Sequence, residues 1–361
     1  MVASGNKLRA AVLMGGVSSE RNVSLSTGKQ ILESLDPDRY DAFGVDAALL
    51  PGGARGCLRN SEYEVDAIAA ARDAVLGSWG LASVEEMLGI GTHRRPDVVI
   101  IALHGRFGED GSVQGMLDLF GIPYTGSGVL ASALAMDKSV AKKMLAADGV
   151  PVPPSVDFVC RAGEWDVDAV ARAVERLGYP VIVKPSRQGS TIGMTKVNAS
   201  GGLNDAIREA VRHDDRIVVE RFIDGVELTV GVLGNDEPFA LPVIEIVPEK
   251  GFYDYQAKYT PGATQEIVPA RIGKQAEARA REIALAAHAS LGCRGMSRTD
   301  IIYAPSPESD GGAHMYVLEV NTIPGMTPTS LLPTAAAAAG IEFPRLLDML
   351  IDYALEEGER K

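Results

Sequence analysis

The sequence predicts a multidomain protein, α/β in its N-terminal part and α+β in its C-terminal part. Two strand–loop–helix units precede a proline-rich break at Val150 to Pro154, and such units build parallel sheets. After the break, strand-like runs follow one another with helices inserted between them. A chain of 361 residues has room for two or three domains at roughly 100–200 residues each.

Taken in order, Arg9 to Met14 is an apolar run bounded by turn residues and reads as a buried strand. Gly15 to Glu20 is a loop, and Ser24 to Leu35 reads as a helix. A second apolar strand, Asp97 to Leu103, ends at His104-Gly105 and leads through a glycine-rich loop to a helix near Ser112 to Phe120. Ligands of parallel sheets sit outside the carboxyl ends of strands. Glu20 and His104 lie just past two such ends, so they can face one crevice. Tyr124 to Gly128 is loop-like, and Val129 to Asp148 reads as one helix carrying Asp137-Lys138. Beyond the break, strands are expected at Val181 to Val183, Met194 to Val197, Arg216 to Phe222, Glu227 to Leu233 and Phe239 to Val247. Leu203 to Arg212 and Ala276 to Leu291 read as helices.

Composition narrows the function classes. Hydrophobic residues are 46% and charged residues 23%, ordinary for a globular chain with ample core. A net charge of −13 leaves no broad basic face for nucleic acid. Three cysteines, Cys57, Cys160 and Cys293, are too widely spaced for a zinc pattern and fit a reducing, cytoplasmic setting. No run approaches the roughly 20 apolar residues of a membrane span.

The stretch from Arg298 to Asn321 carries the most chemistry. Two β-type runs flank an acidic, glycine-rich turn, Ser306 to Gly312, so they read as a hairpin. Residues two apart on a strand share a face. Arg298 and Asp300 therefore point one way, as do Glu319 and Asn321, and folding the hairpin sets Asp300 roughly opposite Glu319. Two carboxylates and an amide suit Mg²⁺ carrying a nucleotide phosphate; a solvated hairpin face is the competing reading.

Other segments support a nucleotide site. The loop Pro185 to Gly193 offers backbone N–H groups to phosphate but lacks the P-loop pattern and precedes a strand, so a flap and an ordinary hairpin turn both fit. Lys184 ends an apolar strand directly before it, where a phosphate is the natural partner; Lys138 by itself reads as a surface lysine. Glu220, Arg221 and Glu227 lie near a strand end where a backbone edge and a carboxylate can read adenine and ribose, or where a strand simply meets a turn. Gly251 to Gly262 holds three tyrosines and Lys258 between glycine and proline residues, as a water-excluding lid would. Gly325 can bring a backbone N–H close to a substrate oxygen, and Ser330 can cap the following helix or bind a carboxylate.

Together these segments resemble the ATP-grasp superfamily, and within it the D-alanine:D-alanine ligases. The resemblance rests on GGVSSERNVSL, ALHGRFGEDGSVQGMLDLFGIPYTGSGVLASALAMDK, VIVKPSRQGSTIGMTKV, FYDYQAKY, RTDII and LEVNTIPGMTPTSL. It covers nearly the whole chain; residues 46–95 and 304–313 are not matched closely. It implies a Rossmann-like N-terminal domain, 1–126, followed by an ATP-grasp fold of a central part, 127–220, and a C-terminal part, 221–361. It implies ATP and Mg²⁺ as cofactors, with two ions and Mn²⁺ as a substitute, D-alanine as substrate, and a homodimer. It implies that one D-alanine is phosphorylated on its carboxylate and that the amine of a second displaces phosphate.

By resemblance, Glu20 holds the first ammonium, with His104 as a positioning residue. Lys138, Lys184 and Lys258 bind phosphates, and Glu220, Arg221 and Glu227 match the adenosine segment. Asp300, Glu319 and Asn321 match metal ligands. Arg298 and the Gly325 N–H match groups that stabilise the tetrahedral oxyanion, Ser330 binds the second carboxylate, and Ser190 and Tyr259 meet across a closed lid. Gln188 and Ile323 depart from common family patterns at positions without chemistry. A ligase using D-lactate or D-serine, or a nucleotide sensor without catalysis, are the alternatives; Tyr259 favours the dipeptide, and the presence of Arg298, Asp300 and Glu319 disfavours the sensor. A nicotinamide enzyme is disfavoured because no GxGxxG follows the first strand.

Overall fold

A computed structural model describes residues 7–18, 20–49, 87–88, 95–189, 191–248, 264–305, 313–327 and 329–360. The first sheet has the order β2-β1-β3, with β1 at Leu8–Met14, β2 at Tyr40–Asp46 and β3 at Val98–Ile101. All three run parallel. Central β1 is apolar because both its faces are covered; Ala10 to Met14 are fully buried. Helix α1 spans Arg21–Ser34 and α2 spans Ser112–Phe120. The Ser24 hydroxyl accepts from the Gly15 N–H at 2.8 Å and donates to the Ala102 carbonyl at 2.7 Å. One side chain thus ties the carboxyl ends of β1 and β3 together, where Glu20 and His104 follow.

The expected helix from Val129 to Asp148 is two helices, α3 at Val129–Met136 and α4 at Lys138–Ala147. Asp137 breaks it. Its carboxylate accepts from the Val140 N–H at 3.2 Å and from the Ser186 hydroxyl at 2.6 Å. Aspartate favours an N-cap over a helix interior, because its side chain can replace the missing backbone acceptor there. The same cap docks the start of α4 on the end of the next sheet: Lys138 N–H donates to the Ser186 carbonyl and Ser139 N–H to its hydroxyl, both at 3.0 Å.

That sheet is antiparallel, in the order β4-β7-β5-β6, with β4 at Ser155–Val159, β5 at Val181–Pro185, β6 at Thr195–Val197 and β7 at Arg216–Arg221. Two helices, α5 at Val167–Leu177 and α6 at Leu203–Val211, pack on it around Val174, Val183 and Ile207. A third sheet has the order β11-β10-β8-β12-β13 with β9 also on β8: β8 is Val226–Gly234, β9 Phe239–Ala240, β10 Ile244–Pro248, β11 Thr264–Ile267, β12 Gly295–Pro305 and β13 Ala313–Asn321. The strand expected from Phe239 to Val247 is interrupted between β9 and β10, and Pro242, which lacks an N–H for the ladder, sits in the gap.

Helix α7, Lys274–Ser290, covers the third sheet. The final helices, α8 at Leu331–Ala338 and α9 at Phe343–Arg360, share one core with the first sheet. Tyr40 OH donates to Asp348 at 2.7 Å across that junction. Among the described residues no helix is long and apolar enough to cross a membrane.

Strand β2 was not foreseen, yet it ends in the fully buried Asp46, which receives Arg21 through two contacts at 2.5 and 2.8 Å. Asp46 also accepts the Gly16 and Ala48 N–H groups at 3.2 and 3.0 Å, so it shapes the loop that leads to Glu20. A buried ion that loses its partner is strongly destabilising. We expect Asp46→Ala to lower unfolding free energy by about 3 kcal/mol in a urea titration; a loss below about 1 kcal/mol, the worth of an exposed ion pair, would contradict this.

Candidate active site

The second and third sheets face each other across a cavity of about 400 Å³, a volume that suits a small-molecule ligand. Lys184 and Ile182 line it from one sheet, and Asp300, Ile302 and Glu319 from the other. The hairpin register is the expected one: Arg298 pairs with Asn321 and Asp300 with Glu319. A bulge follows directly, between Asp300 and Ile301. Bulges re-aim side chains beside functional sites.

Four hydrogen bonds converge on the Asp300 carboxylate. Arg298 donates to it twice, at 3.0 and 2.9 Å, Thr229 at 2.6 Å and the Asn321 amide at 3.2 Å. Glu319 instead meets the Lys138 ammonium at 3.1 Å, and Lys138 also donates to the Gln188 carbonyl at 2.8 Å. Lys138 is therefore not the surface lysine it resembles in isolation. Burial opposes its charge, but Glu319 outweighs burial and raises its pKa above the ordinary range. Two opposed carboxylates and an amide form a hard-oxygen donor set that fits Mg²⁺, with phosphate and water as further ligands. Their charge is balanced by Arg298 and Lys138. Among the described residues no group of three or more His, Cys, Asp or Glu converges as a complete metal cage.

Lys184 has a structural partner: it donates to Glu220 at 2.6 Å. The other Glu220 oxygen lies 2.8 Å from Lys142, a residue the sequence reading missed. Burial opposes ionisation of Glu220, but the two ammonium groups prevail and lower its pKa to about 2. Arg221 and Glu227 line the same cavity. Gln188, one of the two unusual residues, also bonds through its side chain to the His213 carbonyl at 3.1 Å; Ile323, the other, is buried core.

Glu20 occupies the N-cap position of α1 without capping it. A Cβ built on Gly105 would lie 2.8 Å from the Glu20 carboxylate, and one on Gly189 3.3 Å from it. The flap after β5 thus closes against the first crevice, and both glycines leave room for that carboxylate. His104 is buried, 3.5 Å from the Thr27 hydroxyl, and its carbonyl accepts from Ser18 at 2.7 Å. Ser330 stands at the N-cap position of α8, but the expected capping bond is not made. Its hydroxyl accepts the Thr327 N–H at 3.1 Å instead, and a Cβ on Gly325 would come within 2.9 Å of it. Gly325 and Ser330 thereby form one group beyond β13.

Known proteins are similar to this chain over nearly its whole length. The models of the D-ala D-ala ligase N-terminus and C-terminus match residues 9–127 and 144–352. The D-alanine–D-alanine ligase of Syntrophobacter fumaroxidans is 43% identical over 98% of this chain and 100% of its own. That of Desulforudis audaxviator is 44% identical over 96% and 99%. The chain belongs to the D-alanine–D-alanine ligase family. Among solved structures, the Bacillus anthracis D-alanine–D-alanine ligase complexed with ATP is 32% identical with a TM-score of 0.74, covering 99% of both chains. VanG D-Ala:D-Ser ligase from Enterococcus faecalis is 33% identical with a TM-score of 0.77, covering 97% of this chain and 100% of that one.

Three residues that the ligase resemblance brought forward, Ser190, Lys258 and Tyr259, lie outside the described residues. Two others emerge only from the structure: Lys142, one helical turn beyond Lys138, and Glu109. The Glu109 carboxylate accepts the Gly105 N–H at 2.6 Å. Burial, then Glu20, push its carboxyl up to about 8. Its GED sequence gives no sign of this, because the shift comes from groups distant in the chain. A carboxyl whose pKa is raised on folding binds its proton more tightly in the native state, so stability is full below the unfolded pKa and declines as pH rises toward the folded one. We expect the melting temperature to fall between pH 5 and about 8 in part through this group. Glu109→Gln should flatten that fall; an unchanged slope would contradict the assignment.

Proposed function

We propose that this protein joins two D-alanine molecules into D-alanyl-D-alanine, coupled to conversion of ATP to ADP and phosphate. The observation that carries the reading is the cavity between two sheets, whose wall holds Lys138 and Lys184 together with Asp300 and Glu319. The carboxylate of the first D-alanine attacks the γ-phosphorus, and ADP leaves. The neutral amine of the second attacks the acyl carbon, and phosphate leaves with one former carboxylate oxygen.

In this reading Lys138, Lys184 and Lys258 hold phosphate oxygens, since phosphoryl transfer depends on placement and charge neutralisation. Glu220, Arg221 and Glu227 sit at the adenosine end. Asp300, Glu319 and Asn321 would hold Mg²⁺, as two ions that Mn²⁺ can replace, and the bound metal would supply charge neutralisation for the transferring phosphoryl group. Glu20 takes the first ammonium, positioned with His104. Arg298, fixed by Asp300, and the Gly325 N–H stabilise the tetrahedral oxyanion. Ser330 takes the second carboxylate, and Ser190 and Tyr259 close the site against water.

The division at 126/127 and 220/221 belongs to the same reading. It is supported by the three sheets, which follow one another along the chain, although β7 carries the second sheet one residue past 220, to Arg221. So do a cytoplasmic location, for which the free, buried Cys160 and Cys293 speak, and the absence of nucleic-acid or membrane partners. So does a homodimer, for which the exposed Leu119 and Leu130 supply apolar surface.

Incubation with ATP, Mg²⁺ and D-alanine should give D-alanyl-D-alanine, with little mixed product when D-serine or D-lactate is added. Preferential use of either would move the protein to the related ligases. Asp300→Asn should remain folded and lose about three orders of magnitude in turnover, since a metal centre contributes several kcal/mol. Near-normal turnover of that variant at saturating Mg²⁺ would remove Asp300 from the metal site.

A further inference from the structure

Three charged side chains are buried together where α4 meets the second sheet: Lys142, Glu220 and Lys184, each less than a tenth exposed. Lys184 and Glu220 line the cavity, whereas Lys142 is not among the residues of its wall. The two ammonium groups contact different oxygens of Glu220. Lys184 makes a hydrogen bond at 2.6 Å. Lys142 pairs with the other oxygen at 2.8 Å. Burying an ammonium costs several kcal/mol unless its charge has a use or a close partner. Without Lys142, Glu220 and Lys184 would form a neutral pair with little attraction for a phosphate. With it, the cluster carries one net positive charge, and the only ammonium of the cluster on the cavity wall is Lys184.

We propose that Lys142 is a positioning residue for ATP, acting by compensating Glu220 so that Lys184 presents an unneutralised charge to the phosphates. The inference rests on the reading of the cavity as the ATP site. Lys142 begins one turn after Lys138 on the same helix face, so the capped start of α4 sends one ammonium into the cavity and the next behind its wall. Burial and the neighbouring Lys184 lower the Lys142 pKa, and Glu220 works against them. The charge therefore depends on the carboxylate it compensates.

The test is MgATP titration calorimetry with steady-state kinetics on the wild type, Lys142→Met, Glu220→Gln and the double variant Lys142→Met/Glu220→Gln. Lys142→Met alone should weaken ATP binding by about tenfold or more and raise the KM for ATP alike, as loss of one partly screened charge requires. Its kcat and its KM for D-alanine should change little. In the double variant Lys184 has no carboxylate to neutralise it, so adding Lys142→Met to Glu220→Gln should cost much less than tenfold relative to Glu220→Gln alone, whatever Glu220 itself contributes at the adenosine end. If Lys142→Met does not fold, Lys142→Gln carries the same expectation, because it keeps a donor toward Glu220 without the charge. Unchanged ATP affinity in folded Lys142→Met overturns the proposal. So does a tenfold loss when Lys142→Met is added to Glu220→Gln, or a loss spread equally over kcat and the D-alanine KM, which marks general damage. A wild type that binds no MgATP overturns the reading of the cavity itself; tight wild-type binding with unaffected variants overturns only the role of Lys142.

Discussion

Asp300 and Glu319 face each other across one rung of an antiparallel pair, and the site is organised around that opposition. Two buried or half-buried carboxylates so close repel unless cations separate them. The chain supplies one cation for each: Arg298 from the same strand face for Asp300, and Lys138 from α4 for Glu319. Lys138 reaches Glu319 only because Asp137 ends α3 and docks α4 onto Ser186. The helix break, the sheet docking and the charge pairing are therefore one device. A divalent cation held between the two carboxylates would meet the same electrostatic need.

A second balance operates deeper in the same wall. Glu220 divides its two oxygens between Lys184 and Lys142. Lys138 and Lys184 line the cavity while Lys142 lies behind its wall, and Glu319 and Glu220 make this density of buried ammonium groups tolerable. The overall acidity of the chain is no obstacle to an anionic substrate, because local charge at the cavity is set by these few residues.

Much of this was legible in the sequence wherever local rules act. Period-two alternation placed Arg298 and Asp300 on one face, and the near-symmetry of the hairpin placed Glu319 opposite. Glu20 and His104 were legible as residues past the ends of parallel strands. What was not legible depends on distant contacts. Asp137 reads as a helix interior until Ser186 is brought against it. Lys142 reads as a solvated helical lysine until Glu220 arrives from far along the chain. Ser330 has a capping residue's identity and backbone angles, but a nearer donor, the Thr327 N–H, takes its hydroxyl. Strand β2 was overlooked because its alternation is irregular, and the C-terminal helices share a core with the first sheet that no local pattern announces.

The central claim is that a carboxylate is activated by phosphoryl transfer within the charged cavity. D-alanine labelled with ¹⁸O at both carboxylate oxygens, turned over with unlabelled ATP, tests it most directly through the mass of the released phosphate. An acyl phosphate passes one labelled oxygen to each phosphate and leaves the other in the peptide carbonyl. That transfer is the predicted result; phosphate without label, formed alongside dipeptide, would contradict it.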